Sequence, residues 1–227
     1  RDLSAASIVA LGDSFVEAGL VAYDELLTTR LSRALGVDVA NLGQGGYAPQ
    51  QELIVLRRYG MPLRPRIVLW FFFEGNDLRD VHRFAELQND SAGGVRVSSF
   101  QDRSLVKNVL GTLERVSTPR LKRDSAEAGR RSCRLRNRDD TIYFAYAGEP
   151  LTPDDLSAVE VVEESLLEAR RLAEEGGARM LLVYVPTKFR VYRDHCEFPP
   201  DGYGRTWQPH DLPARMAEWS RSNGLPY

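Results

Sequence analysis

The sequence predicts an α/β protein: a parallel sheet covered by helices in three layers, of the flavodoxin-like kind. Three observations predict it. Short apolar runs alternate with stretches of helical periodicity along most of the chain. The runs are apolar at nearly every position, as in strands buried on both faces, rather than at every second one. Each of the four is closed by glycine or proline within two residues.

The first run, residues 7–11, ends at Gly12. Tyr23, Leu26, Leu27, Leu31 and Leu35 then recur at helical spacing, with Gly36 as the stop. Residues 37–42 form the second strand, closed by Gly43, Gly45 and Gly46. Pro49 suits a first helical turn, and Leu53, Leu56 and Tyr59 give that helix its apolar stripe. Residues 66–73 form the third strand, whose aromatic run from Trp70 to Phe73 reads as core. Regularity lapses over about 80–150, an insertion with a basic stretch and short helices expected around 105–116. It returns at Thr152-Pro153-Asp154-Asp155, which starts a helix running to about Glu175. Residues 180–185 form the fourth strand, stopped by Pro186. A loop region over 188–209 precedes a last helix at 212–222. Leu225-Pro226-Tyr227 reads as the opening of a fifth strand. With Arg1 in place of a starting methionine, the chain reads as a piece of one domain, cut at both ends and lacking its C-terminal part.

Composition narrows the function. The 227 residues suit one sizeable domain with an insertion, at about 150 residues per domain. Thirty Lys and Arg against 32 Asp and Glu leave a net charge of -2, which argues against a nucleic-acid or anionic-membrane binder. Two cysteines and three histidines leave little material for a metal centre. No apolar run approaches the ~20 residues that span a bilayer.

In a parallel sheet, function sits at the carboxyl ends of the strands. The first strand ends in Gly12-Asp13-Ser14-Phe15, the second in Asn41-Leu42-Gly43-Gln44-Gly45-Gly46, the third in Glu74-Gly75-Asn76-Asp77. A serine at a strand-to-helix turn presents its hydroxyl outward, with its own N–H near a helix start. Gly46, lacking a Cβ, lets its N–H approach a ligand closely. Asn76 offers a side-chain amide. Together they form a hydroxyl nucleophile with three donors for the oxyanion of a tetrahedral intermediate. The glycine run lacks the Gly-Lys-Ser/Thr of a phosphate-cradling loop and the G-x-G-x-x-G spacing.

These three blocks, in this order, resemble the SGNH (GDSL-type) hydrolase family, closely over residues 7–77 and loosely beyond. The resemblance implies a serine ester hydrolase, of an esterase, lipase-like or carbohydrate deacetylase kind, acting through an acyl-serine. It implies Ser14 as nucleophile and Gly46 and Asn76 as oxyanion donors, with Asp13 and Asp77 bracing their loops. It implies no metal or organic cofactor, and a small-molecule or carbohydrate ester as substrate. O-acyl transfer onto a carbohydrate or polymer uses the same residues, and a non-catalytic binding module could retain them.

The chain departs from the family at two places. Glu74 stands where the third block has glycine, which puts a carboxylate near the site rim. The family's Asp-x-x-His does not occur: Arg79, Tyr192 and Trp207 stand three residues before His82, His195 and His210. The base is therefore expected about 15 to 30 residues past Tyr227, and this stretch alone is expected to be inactive. His195, between Asp194 and Cys196, reads as a loop histidine, His82 as a rim residue, and His210 as part of a helix start. Cys133 and Cys196 form a disulfide if the protein is extracytoplasmic, which is somewhat favoured, or are otherwise two free thiols. Arg130, Arg131, Arg134, Arg136 and Arg138 read as a solvated loop, with an anionic partner as the alternative.

Overall fold

A computed structural model describes residues 5–92 and 125–227. Along the chain its elements are β1 (Ile8–Leu11), α1 (Ser14–Glu17), α2 (Leu27–Leu35), β2 (Val39–Asn41), α3 (Pro49–Val55), β3 (Ile67–Phe73), α4 (Asp77–Ala92), α5 (Ser125–Arg130), β4 (Ser132–Leu135), β5 (Thr141–Tyr143), α6 (Pro153–Glu175), β6 (Arg179–Val185), α7 (Lys188–Tyr192), β7 (Cys196–Glu197) and α8 (Leu212–Ser222). They fall into two compact units, one of Arg1–Phe84, Pro150–Thr187 and His210–Tyr227, the other of Ala85–Glu149 and Lys188–Pro209. The short helices expected around 105–116 lie outside the described residues.

The first unit is an α/β fold with a parallel sheet flanked by helices, as its strand pattern predicts. The strand order is β2-β1-β3-β6. Ile8 pairs with Val39 on one side and Ile67 on the other, and Ile67 pairs in turn with Arg179. This common register brings the four carboxyl ends to one rim. Every residue of β1 is buried, which is why it is apolar throughout. Val9, Leu11, Val68, Trp70, Phe72 and Leu182 form the sheet's part of the core, against Val162, Leu166, Leu212 and Met216 of the helices. Burying each large apolar side chain contributes about 1.5–3 kcal/mol. The Leu182 N–H donates to the Pro226 carbonyl at 2.8 Å, so the last residues lie along the outer edge of β6.

The helices follow local chemistry. Thr152 and Asp155 form a reciprocal capping box ahead of Pro153, so α6 starts where its sequence signals start it. After α3 the backbone widens into a π turn at Leu56–Gly60. That one-residue shift keeps Leu56 buried but turns Tyr59 outward, so the expected stripe stops at Leu56. Tyr23 sits in a separate 3-10 turn, and Leu27 and Leu35 of α2 also face solvent. Among the described residues no helix is long and apolar enough to cross a membrane.

The second unit carries an antiparallel sheet in the order β5-β4-β7. Its core is Cys133, Phe144, Phe189 and Cys196, with Phe198 and Trp207 packed against them. Phe189 meets Phe144 and Trp207 edge-on at 5.6 and 5.3 Å between ring centres. Cys133 and Cys196 form a disulfide across 63 residues of sequence, tying together the unit's two separate stretches. The guanidinium of Arg130 covers the Tyr203 ring at 4.5 Å, and Arg134 pairs with Asp139.

Candidate active site

Ser14 is carried on a one-turn helix that follows β1 directly. Gly12 turns the chain at φ +155°, where a Cβ would stand 2.5 Å from Val16 Cγ2. Asp13 caps α1 by accepting the Phe15 N–H at 2.8 Å. The turn closes at Ala18, itself in the left-handed region. Phe15 rests on Phe73 at 3.9 Å between ring centres, which pins this turn to the end of β3. Ser14 is exposed, and its Oγ donates to Asp13 Oδ2 over a long 3.4 Å.

The glycine block lies against that turn. The Gln44 N–H donates to the Gly12 carbonyl at 3.0 Å, and the Gly43 N–H to Asn41 Oδ1 at 3.0 Å. Asn41 Nδ2 donates in turn to the Val16 carbonyl at 2.7 Å. The Gly45 N–H donates to Glu17 Oε2 at 2.8 Å. At Gly43 a Cβ would stand 2.4 Å from the Glu17 nitrogen, so the approach of loop to helix requires glycine. A Cβ on Gly45 would stand 3.5 Å from Ser14 Cβ. Gly46 is exposed at φ +76°. Among the described residues, the N–H groups of Ser14 and Gly46 donate to no protein acceptor.

Asn76 stands just past the end of β3, with its amide turned to buried carboxylates. It is buried, and its amide donates to Asp13 Oδ2 at 3.1 Å and to Asp80 Oδ2 at 2.5 Å. Both amide hydrogens are therefore committed to carboxylates, while Oδ1 has no partner among the described residues. Asn76 ties the end of β3 to the Ser14 turn through Asp13.

Behind Ser14 lies a set of buried acids, of which the sequence points to Asp13 and Asp77 but not to Glu52 or Asp80. Asp13, Glu52, Asp77 and Asp80 are all at most 4% exposed. Among the described residues neither Glu52 oxygen has a hydrogen-bond partner. Burial first, then the charges of Asp77, Asp13 and Asp80, hold the Glu52 carboxyl well above the usual range. Asp77 is raised for the same reasons, burial leading, against the lowering effect of the Phe73 N–H that it accepts at 2.8 Å. Like charges in a dry interior resist ionising together, so Glu52 and Asp77 favour their protonated forms. A signal for Glu52 was present: it stands four residues before the buried Leu56, on the same helix face.

The histidines take other roles. His82 Nε2 meets the Asp154 carbonyl at 3.0 Å. His210 Nδ1 accepts the Leu212 N–H at 3.4 Å, and Nε2 lies 3.8 Å from Glu74 Oε1. Glu74, on the β3 rim, also accepts from the Tyr184 hydroxyl at 3.0 Å and Thr187 Oγ1 at 3.5 Å. His195 belongs to the second unit, where with Arg136, Arg138 and Asp140 it lines a cleft of about 680 Å³. Among the described residues, no group of three or more His, Cys, Asp or Glu is arranged to hold a metal ion.

No family model and no curated protein matches this chain. Among solved structures it is similar to AlinE4, an esterase of the SGNH-hydrolase family, and to an aspartate-to-alanine mutant of that esterase. Identity is 16% in both cases, over 97% of this chain and 96% of the other, with TM-scores of 0.31 and 0.32. At that level the likeness carries no functional argument, and the reading of the site rests on its own residues. Those residues divide into two layers. The outer one is the exposed Ser14 and Gly46, whose N–H groups have no protein acceptor among the described residues, and the inner one is the buried Asn76–acid network.

Proposed function

We propose that this chain carries the nucleophile and oxyanion half of a serine ester hydrolase. The observation that carries the reading is the pair of open N–H groups, Ser14 and Gly46, on two loops packed against one another beside an exposed hydroxyl. Ser14 Oγ attacks the ester carbonyl, and its proton passes to a base. The tetrahedral oxyanion is received by the two backbone N–H groups. The bond to the alkoxy oxygen then breaks, the proton leaves with the alcohol, and the acyl group stays on Ser14 until water repeats the sequence. Asn76 becomes a third donor when it releases Asp13 or Asp80. In the resting arrangement it braces Asp13.

The base is the part these residues do not supply at the hydroxyl, since Ser14 Oγ bonds to Asp13 and no Asp-x-x-His occurs in the sequence. We assign that role to an imidazole, the side chain whose ordinary pKa suits a general base near neutral pH. The substrate is a small-molecule or carbohydrate ester, and transfer of the acyl group to a sugar follows the same first half-reaction. The test is hydrolysis of 4-nitrophenyl acetate by the whole natural polypeptide, with and without sugar acceptors. Turnover that Ser14→Ala lowers by at least about 1000-fold supports the reading. Equal rates in wild type and variant would overturn it in favour of a binding module.

A further inference from the structure

The outer face of α4 carries two arginines that the reaction described above does not use. The helix starts at Asp77, and its inner face is Leu78, Asp80 and Val81, all buried. Arg79 and Arg83, four residues apart, are exposed on the opposite side. A Cβ on Gly46 would stand 3.8 Å from Arg83 Nη1, so this guanidinium hangs beside the open Gly46 N–H.

This placement is unfavourable for the helix itself. Two cations four apart repel, and Arg79 sits in the first turn, at the positive end of the helix dipole. Elsewhere in the same unit Arg30, Arg33, Arg57, Arg170, Arg171 and Arg215 each pair with a carboxylate, whereas the exposed Arg58, Arg64, Arg66, Arg179 and Arg221 pair with none among the described residues; Arg83 is set apart from these by its place beside Gly46. Among the described residues Arg79 and Arg83 pair with none. A guanidinium offers a planar fork of donors that matches a carboxylate in two-point contact.

We propose that Arg83, backed by Arg79, receives a carboxylate of the substrate beside Gly46, so that the ester cleaved at Ser14 is an anionic one. The inference rests on reading Ser14 and Gly46 as the reacting site. The carboxylate belongs to either the alcohol or the acyl part of the ester, and two matched pairs of substrates separate these. One pair is 4-acetoxybenzoate and its methyl ester; the other is the mono-4-nitrophenyl ester of adipate and the methyl ester of that compound.

With the whole polypeptide, the charged member of one pair is expected to have a kcat/KM about tenfold or more above its neutral partner. That ratio is expected to fall with added salt and to drop to about one in Arg83→Gln. A ratio near one in both pairs overturns the proposal, and so does a ratio that Arg83→Gln leaves intact. Binding of the same compounds to Ser14→Ala, measured by calorimetry, separates this idea from the hydrolase reading. If no ester is turned over, the hydrolase reading fails while the anion site is still judged. Tighter binding of a charged member, lost in Ser14→Ala/Arg83→Gln, keeps it; equal binding of charged and neutral members removes it.

Discussion

At Gly46 the backbone adopts φ +76°, and an added Cβ would meet Arg83 Nη1 at an ordinary 3.8 Å, so the demand for glycine is conformational rather than steric. Gly46→Ala is expected to cost about 1–2 kcal/mol of stability through that strain. By tilting the N–H it is also expected to lower kcat about 100-fold with a smaller change in KM. Urea unfolding and steady-state kinetics read the two effects separately. Glu52 leads to a different prediction. Its carboxyl is raised in the folded protein, so folded chains hold that proton more tightly than unfolded ones. The sign follows: this group's stabilising effect is fully present below the ordinary glutamate value of about 4.3 and is lost as pH rises toward the raised folded value. Glu52→Gln should therefore gain on wild type as pH increases, by at most about 1.4 kcal/mol per pH unit for one proton. Urea midpoints at pH 4, 6 and 8 measure it, and parallel wild-type and variant curves would contradict it. The same scale shows what the sequence leaves hidden. The places of Ser14, Gly46 and Asn76 at strand ends are legible from spacing. The direction in which the Asn76 amide points is not, because it depends on Asp80, one turn along a helix that the sequence reading did not extend through this region.

Among the elements, the four parallel strands were legible as short, largely apolar runs closed by glycine or proline, and the capped α6 because Thr152, Pro153 and Asp155 state its start. The second unit was not. Its strands are short, and Ser132–Leu135 offers only Cys133 and Leu135 as apolar positions, with the exposed Arg134 between them. Its core also joins residues from two stretches that no local pattern connects. The disulfide there is expected to matter more than its small sheet. Closing 63 residues, it should contribute about 2–4 kcal/mol by restricting the unfolded chain. Cys133→Ser, or wild type under reducing conditions, should lose hydrogen-exchange protection in residues 125–149 and 188–209 while the parallel sheet keeps its own. Unchanged protection in those stretches would show that the aromatic core around Phe189 suffices.

For the whole molecule, the common register of β1, β2, β3 and β6 is the feature that makes a site possible, since it delivers three loops to one rim. The rim holds an exposed serine, a glycine loop bonded to the serine's own helix turn, and a buried acid network that fixes both. The central claim is that Ser14 is a nucleophile served by the Ser14 and Gly46 N–H groups. It is tested most directly by incubating the whole natural polypeptide with a fluorophosphonate and mapping the adduct by peptide mass spectrometry. The account predicts a single stoichiometric adduct on Ser14, absent from Ser14→Ala and formed about 100-fold more slowly in Gly46→Ala. An unlabelled Ser14, or an adduct on another residue, would contradict it.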